Sequence, residues 1–226
     1  MIKVVIPASG IGARFGADMP KQFLELKGEP ILKRTISAFQ NLDMVDEIIA
    51  AVPQGYAQTV ADYGFDKVRH IVEGGQNRAS SVYTALKKLP KDTSIVLIHD
   101  GVRPFVTCEL VQAVADAAKQ HGAAIAAAPV TDTIKQTGQN FQIEATLDRT
   151  HLWSAQTPQG FTYDIIMQAY HQAEKNGTLH QATDDSALVE ALSIPIYIVL
   201  SSPRNIKITT AEDLLIAKTF LNEDIK

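Results

Sequence analysis

Ile2-Lys3-Val4-Val5-Ile6 runs directly into Pro7-Ala8-Ser9-Gly10-Ile11-Gly12-Ala13-Arg14-Phe15-Gly16, with Pro20-Lys21-Gln22 close behind. A short apolar run that ends in small residues reads as a buried strand feeding a loop. The backbone N–H groups of such a loop can approach a ligand closely. Two cations, Arg14 and Lys21, stand on the same loop. The glycines alone support only an ordinary strand-to-loop turn; the arginine and lysine shift the reading to a polyphosphate.

Two common phosphate loops do not fit. The P-loop ends in Gly-Lys-Ser/Thr, and no such triplet occurs in the chain. The dinucleotide pattern Gly-x-Gly-x-x-Gly is met by Gly10 and Gly12, but its third place holds Phe15 and Gly16 comes one residue late. That pattern also needs an acid after the second strand to hold a ribose. Here Ile48-Ile49-Ala50-Ala51-Val52 ends in Pro53-Gln54. A dinucleotide oxidoreductase is disfavoured on both counts.

Outward from the first loop, apolar strand patterns alternate with helical ones. Strands are expected at about 2–7, 47–52, 68–72, 94–98, 123–128 and 196–200. Helices are expected at about 31–41, 57–63, 78–88, 108–121, 163–175, 184–192 and 210–221. In the fourth helix Val111, Val114, Ala115 and Ala118 fall on one face. Ile95-Val96-Leu97-Ile98 is apolar on both faces, as a central parallel strand is. The alternation predicts an α/β fold, a doubly wound, mostly parallel (Rossmann-like) sheet. Ligands of such sheets bind beyond the carboxyl ends of the strands. Residues 131–150 break the rhythm: from Thr131 to Phe141 the chain reads as strand, turn and strand, with little core of its own. The chain is thus expected to be one domain, 1–226, with a β-hairpin arm at about 131–150. Such an arm suits packing against a partner subunit, and composition equally allows a solvated excursion on a monomer.

The formal net charge of −4 argues against a generic nucleic-acid footprint, so a phosphate ligand needs a local cation cluster. A single cysteine, Cys108, excludes an internal disulfide and fits a reducing compartment. Cys-x-x-Cys and His-Glu-x-x-His are both absent, which disfavours a zinc site. No stretch has transmembrane length and no leader pattern precedes the first strand, so a cytoplasmic location without membrane contact is expected.

Further candidates lie at strand ends. In His99-Asp100-Gly101-Val102-Arg103-Pro104, Asp100 stands where one carboxylate can hold Mg²⁺ together with substrate phosphates. The plainer reading is a turn cap paired with Arg103, and the two are compatible. His99 reads as a hydrogen-bonding core residue. Gly74-Gly75-Gln76-Asn77-Arg78-Ala79-Ser80-Ser81 opens a helix and suits a nucleobase or phosphate. Asn77 is also a plain N-cap, though a cap does not require the paired glycines. Arg149, at the end of the arm, and Lys207, after the last strand, can grip a second phosphate, although either alone reads as a surface cation. Thr183-Asp184-Asp185-Ser186 reads as a helix N-cap with acids near the positive end of the dipole.

Taken in order, Pro7-Ala8-Ser9-Gly10-x-Gly12-x-Arg14, Pro20-Lys21-Gln22, Gly74-Gly75-x-x-Arg78-x-x-Ser81-Val82, His99-Asp100-Gly101-x-Arg103-Pro104, Asp132-Thr133, Gln156-Thr157-Pro158-Gln159, Thr183-Asp184-Asp185 and Asn205-Ile206-Lys207 form a specific set. From residue 2 to about 221 the chain resembles the 2-C-methyl-D-erythritol 4-phosphate cytidylyltransferases of non-mevalonate isoprenoid biosynthesis. The resemblance implies cytidylyl transfer from CTP to 2-C-methyl-D-erythritol 4-phosphate, giving the CDP-alcohol and pyrophosphate, with Mg²⁺, in a homodimer. It implies that Ala8, Ser9, Gly10, Gly75, Arg78 and Ser81 surround the nucleotide. Arg14 and Lys21 would stabilise charge at the α-phosphate, and Asp100 would lie near the metal and the sugar phosphate. Arg103, Arg149 and Lys207 would serve the acceptor, with Thr133 and Arg149 reaching in from the partner's arm. The catalytic set so implied is Arg14, Lys21, Arg149 and Lys207. Two departures are visible: Ser9 where the family often has Ala, and Gln76 where it often has Asp. Neither removes an expected charge at the phosphates. The alternatives are a ribitol 5-phosphate cytidylyltransferase, which shares fold and nucleotide motifs, and a non-catalytic nucleotide-binding regulator.

Overall fold

The computed structural model describes residues 1–10 and 19–223. Strand β1 (Ile2–Pro7) is covered on both faces. Val4 and Ile6 point into one apolar layer and Val5 into the other, as the two-residue period of a strand requires. Strands β2 (Glu47–Val52) and β3 (Val68–Glu73) follow in parallel on one side of β1. Strand β4 (Ile95–Ile98) pairs parallel with β1 on its other side. The chain therefore reverses its direction of growth across the sheet between β1 and β4. A crevice opens at their carboxyl ends at such a switch point.

Helix α1 (Ile31–Gln40), the short α2 (Ala57–Ala61) and α4 (Cys108–His121) cover one face; α3 (Arg78–Leu86), α5 (Tyr163–Lys175) and α6 (Asp185–Glu190) cover the other. Val111, Val114, Ala115 and Ala118 are the buried residues of α4, which is the face their spacing predicts. Thr107 caps that helix, and Gly122 ends it with a positive φ of 89° that a residue with a Cβ adopts only with strain. Strand β5 (Ala123–Pro129) and the edge strand β9 (Tyr197–Leu200) complete the parallel set. Helix α7 (Ala211–Glu223) closes a smaller cluster in which Ala217 joins Leu26, Ile31, Val102 and Ile208.

The sequence reading misses one major element. Strand β8 (Trp153–Thr162) runs antiparallel between β4 and β5, in a sheet ordered β3-β2-β1-β4-β8-β5-β9. Its sequence, Trp-Ser-Ala-Gln-Thr-Pro-Gln-Gly-Phe-Thr, has strand-favouring residues near its ends, but its polar middle carries a proline and a glycine, which argue against a central strand. The pairing with β5 shifts register between Ile125 and Ala127, opposite the segment that contains Pro158, and this irregularity accommodates the missing N–H. Consequently β4 has one parallel and one antiparallel neighbour, not the two parallel ones its composition suggests.

The arm forms as a separate two-stranded ladder of β6 (Lys135–Thr137) and β7 (Ile143–Thr146). Phe141 at its tip is 90% exposed, and Ile143 and Leu147 are also exposed. No helix among the described residues is long and apolar enough to cross a membrane.

Candidate active site

The carboxyl ends of β1, β3 and β4 converge on a cleft of about 410 Å³. Ala8, Ser9 and Gly10 form one wall, and Gly75 and Arg78 the other. Lys21, Asp100 and Lys207 also line it. The two walls are joined by hydroxyls: Ser9 Oγ lies 2.6 Å from Ser81 Oγ, which also accepts from the Gly75 N–H at 3.0 Å. Ser81 itself is fully buried behind these residues and lines neither cleft described here. A side chain at Gly74 would overlap the Ser9 side chain, and one at Gly75 would overlap Ser80. The paired glycines therefore answer to close approach, while Asn77 and Ser80 form a reciprocal capping box that starts α3. Gln22, buried at the base of the cleft, donates from Nε2 to the Ala8 carbonyl and ties the Lys21 segment to the end of β1.

A second cleft of about 230 Å³ adjoins the first and shares Arg78, Asp100 and Lys207 with it. Arg103, Gln156, Thr157, Gln159, Thr183 and Asp184 line the rest. Asp100 stands at the boundary, 5% exposed, surrounded by cations. Its Oδ1 accepts from Arg78 Nε at 2.9 Å, and its Oδ2 lies 2.9 Å from Lys207 Nζ and 3.6 Å from Arg103 Nε. Burial pushes the Asp100 carboxyl up, but Arg78, Lys207 and Arg103 outweigh it and hold the group far below the usual carboxylate range. The opposite balance holds at Arg103, where burial pulls the guanidinium down against the attraction of Asp100.

His99 is fully buried, with Nε2 3.0 Å from the Arg103 carbonyl and Nδ1 3.1 Å from Thr157 Oγ1. A carbonyl only accepts, so Nε2 carries the proton and Nδ1 accepts from the threonine hydroxyl. Burial pushes the imidazole down to about 4. His99 is accordingly a neutral structural residue that supports the site and not a base. Thr157 Oγ1 in turn accepts from the Asp100 N–H at 3.1 Å. The Asn205 side chain donates from Nδ2 to Gln156 Oε1 and to the Thr157 carbonyl, and the Asn205 backbone carbonyl accepts from Arg103 Nη1 at 2.7 Å. This anchorage brings Lys207 across from the far side of the sheet.

The expectations for Arg14 lie outside the described residues. Thr133 and Arg149 are exposed on and beside the arm and line neither cleft of their own chain. Thr157 and Gln159, quoted in the sequence only within a motif, Asp185, read there as an acid at a helix N-terminus, and Tyr170, which no sequence signal marked, are residues of the site. The doublet Asp184-Asp185 held a usable signal: only Asp184 caps α6, accepting from Ala187 N at 2.9 Å, and the second acid is left for another task.

Among the described residues no group of three His, Cys, Asp or Glu is placed to hold a metal. In the larger cleft the donor set is one carboxylate, Asp100, bordered by cations. That fits a magnesium ion bound chiefly by substrate phosphates with at most one carboxylate beside it, and does not fit a protein-built cage.

Cations gathered at the switch point of a Rossmann-like sheet, with the nearby histidine neutral and occupied, suit transfer between phosphates and define a nucleotidyltransferase. The family model for "IspD: 2-C-methyl-D-erythritol 4-phosphate cytidylyltransferase" matches residues 2–223. The relative of that name from Alkaliphilus oremlandii is 46% identical over 224 residues, covering 96% of this chain and 94% of the relative. The one from Syntrophus aciditrophicus is 42% identical, covering 99% and 97%. The solved 4-diphosphocytidyl-2C-methyl-D-erythritol synthase of Anaerococcus prevotii superposes with a TM-score of 0.86 at 30% identity, covering 98% of this chain and 96% of that one. The chain belongs to the 2-C-methyl-D-erythritol 4-phosphate cytidylyltransferase family. It is an enzyme, which sets aside a non-catalytic regulator.

Proposed function

We propose that this chain, as one nucleotidyltransferase domain with a β-arm, carries out its family's reaction in the paired clefts. CTP occupies the larger cleft and 2-C-methyl-D-erythritol 4-phosphate the smaller. An oxygen of the acceptor phosphate attacks the α-phosphorus of CTP. The new O–P bond forms as the bond to the bridging oxygen of the β-phosphate breaks, and pyrophosphate leaves with that electron pair. The products are pyrophosphate and 4-diphosphocytidyl-2-C-methyl-D-erythritol.

The single observation that carries this reading is the Asp100 cluster. Arg78, Arg103 and Lys207 converge on one carboxylate where the two clefts meet. The second pKa of a phosphate monoester is about 6, so the attacking group is mostly a dianion at neutral pH and needs no base. The barrier is then the approach of an anion to a polyanion, which positioning and fixed cations lower. Lys207 and Arg103 hold the acceptor phosphate, and Lys21, with Arg14, stabilises charge growing at the α-phosphorus. Asp100 holds Arg78, Arg103 and Lys207 in place and is the carboxylate that would hold Mg²⁺ alongside the triphosphate. Bound there, the ion would neutralise triphosphate charge.

The exposed apolar arm and the exposed Tyr197, Ile198 and Leu200 of edge strand β9 support a homodimer in which Thr133 and Arg149 serve the partner's acceptor site. The single cysteine supports a cytoplasmic setting. Pyrophosphate release is the test, with CTP, Mg²⁺ and either 2-C-methyl-D-erythritol 4-phosphate or ribitol 5-phosphate. Release with the first acceptor alone is expected. Release with ribitol 5-phosphate alone assigns the other activity.

A further inference from the structure

Asp185 is fully buried, yet it is a carboxylate at the edge of the catalytic cluster. Its Oδ2 accepts from Arg78 Nη2 at 2.7 Å and its Oδ1 from the Tyr170 hydroxyl at 2.5 Å. Its backbone N–H donates to Gln159 Oε1 at 3.1 Å, as does that of Ser186 at 3.0 Å. Gln159 Nε2 reaches Asp184 at 2.8 Å, which orients the amide. Every polar atom around the buried charge is thus directed. Burying an ion is costly unless it is paired and hydrogen-bonded, and a helix cap needs no such arrangement because Asp184 already supplies it.

What the arrangement achieves is visible at Arg78. Its guanidinium is pinned along one edge, Nε by Asp100 and Nη2 by Asp185. Arg78 lines both clefts, and its Nη1 makes no hydrogen bond to the described residues. Burial alone would weaken the charge, but Asp185 and Asp100 keep the guanidinium firmly protonated.

We propose that Asp185, oriented by Tyr170, is a positioning residue that aims Arg78 Nη1 at a phosphate oxygen between the two substrates. The proposal rests on the proposed function, with Arg78 in the nucleotide-contacting role that the family resemblance implies. Asp185 touches no substrate. It acts through Arg78, and without it the guanidinium would keep only the Asp100 contact and swing about that bond.

A double-mutant cycle tests this in the full chain, with Asp185→Asn, Arg78→Ala and the pair, each measured by pyrophosphate release at a temperature where circular dichroism shows the variant folded. Asp185→Asn in the otherwise native chain is expected to lower kcat/KM about tenfold, and to change it less than about twofold when Arg78 is already alanine. An equal factor in both backgrounds, or no loss in the native one, overturns the positioning role. If Arg78→Ala alone is silent, the substrate role of Arg78 falls and the positioning role with it. If the first alone falls, the cycle shows a loss for Arg78→Ala that is independent of residue 185. Should Asp185→Asn not fold, Tyr170→Phe removes one hydroxyl and leaves the ring packed. The same cycle then applies, and a loss of about threefold that vanishes with Arg78→Ala is expected.

Discussion

Lys21 lines the larger cleft from a segment held to the end of β1 by Gln22. Removing a preorganised donor to developing charge costs roughly 10²–10³ in rate. Lys21→Ala is therefore expected to lower kcat by about that factor, and near-normal turnover in a folded variant would refute its role. His99 makes a different prediction. Its imidazole is held down at about 4 by burial, whereas an unfolded histidine titrates near about 6.5. Between those values the unfolded chain takes up a proton that the folded chain refuses. Its contribution to stability is whole above the unfolded value and is lost as pH falls toward the folded one, on the order of 3 kcal/mol in all. Thermal melts of the native chain and of His99→Asn at about pH 7 and about pH 4.5 should show a smaller drop in the variant. Equal drops would mean that His99 is not the group responsible.

The β3-to-α3 turn concentrates an element's worth of function in two glycines. At Gly74 the Ser9 wall comes close enough to exclude a Cβ, and Ser81 bridges the two walls from beneath. Gly74→Ala is expected to separate them and to raise the KM for CTP about tenfold or more, with a smaller effect on the acceptor KM. Initial-rate kinetics in each substrate separates the two. The glycine doublet and the cap that follows were legible in the sequence, because each answers to a local backbone demand. Strand β8 was not. Its polar residues Gln156, Thr157 and Gln159 are buried only because Ser201, Asn205, His99 and Asp184 come from distant segments to satisfy them. Composition cannot indicate that partners separated by tens of residues will be present.

For the whole molecule the issue is which chain completes which site. Arg149 and Thr133 line neither cleft of their own chain, and the arm that carries them exposes Phe141 and Ile143. If Arg149 acts across a two-fold dimer, a Lys21→Ala protomer paired with an Arg149→Ala protomer contains one complete site. Mixing and re-annealing the two inactive proteins should restore up to about a quarter of native activity, the share expected for random pairing of symmetric dimers. Activity that stays at the level of the separate variants would place Arg149 in its own chain's site or outside any site. Sedimentation of the mixture shows whether dimers formed.

Periodicity and loop chemistry, which depend on near neighbours in the chain, set the helices, every strand of the main sheet but β8, and the glycine turn. The ordered motifs carried the family. What only the folded state decided is who meets whom: Arg78 with Asp185, Lys207 with Asp100, and the antiparallel strand that supports both pairs. Those contacts join residues about a hundred positions apart, and their energies exist only once burial has removed the competing water.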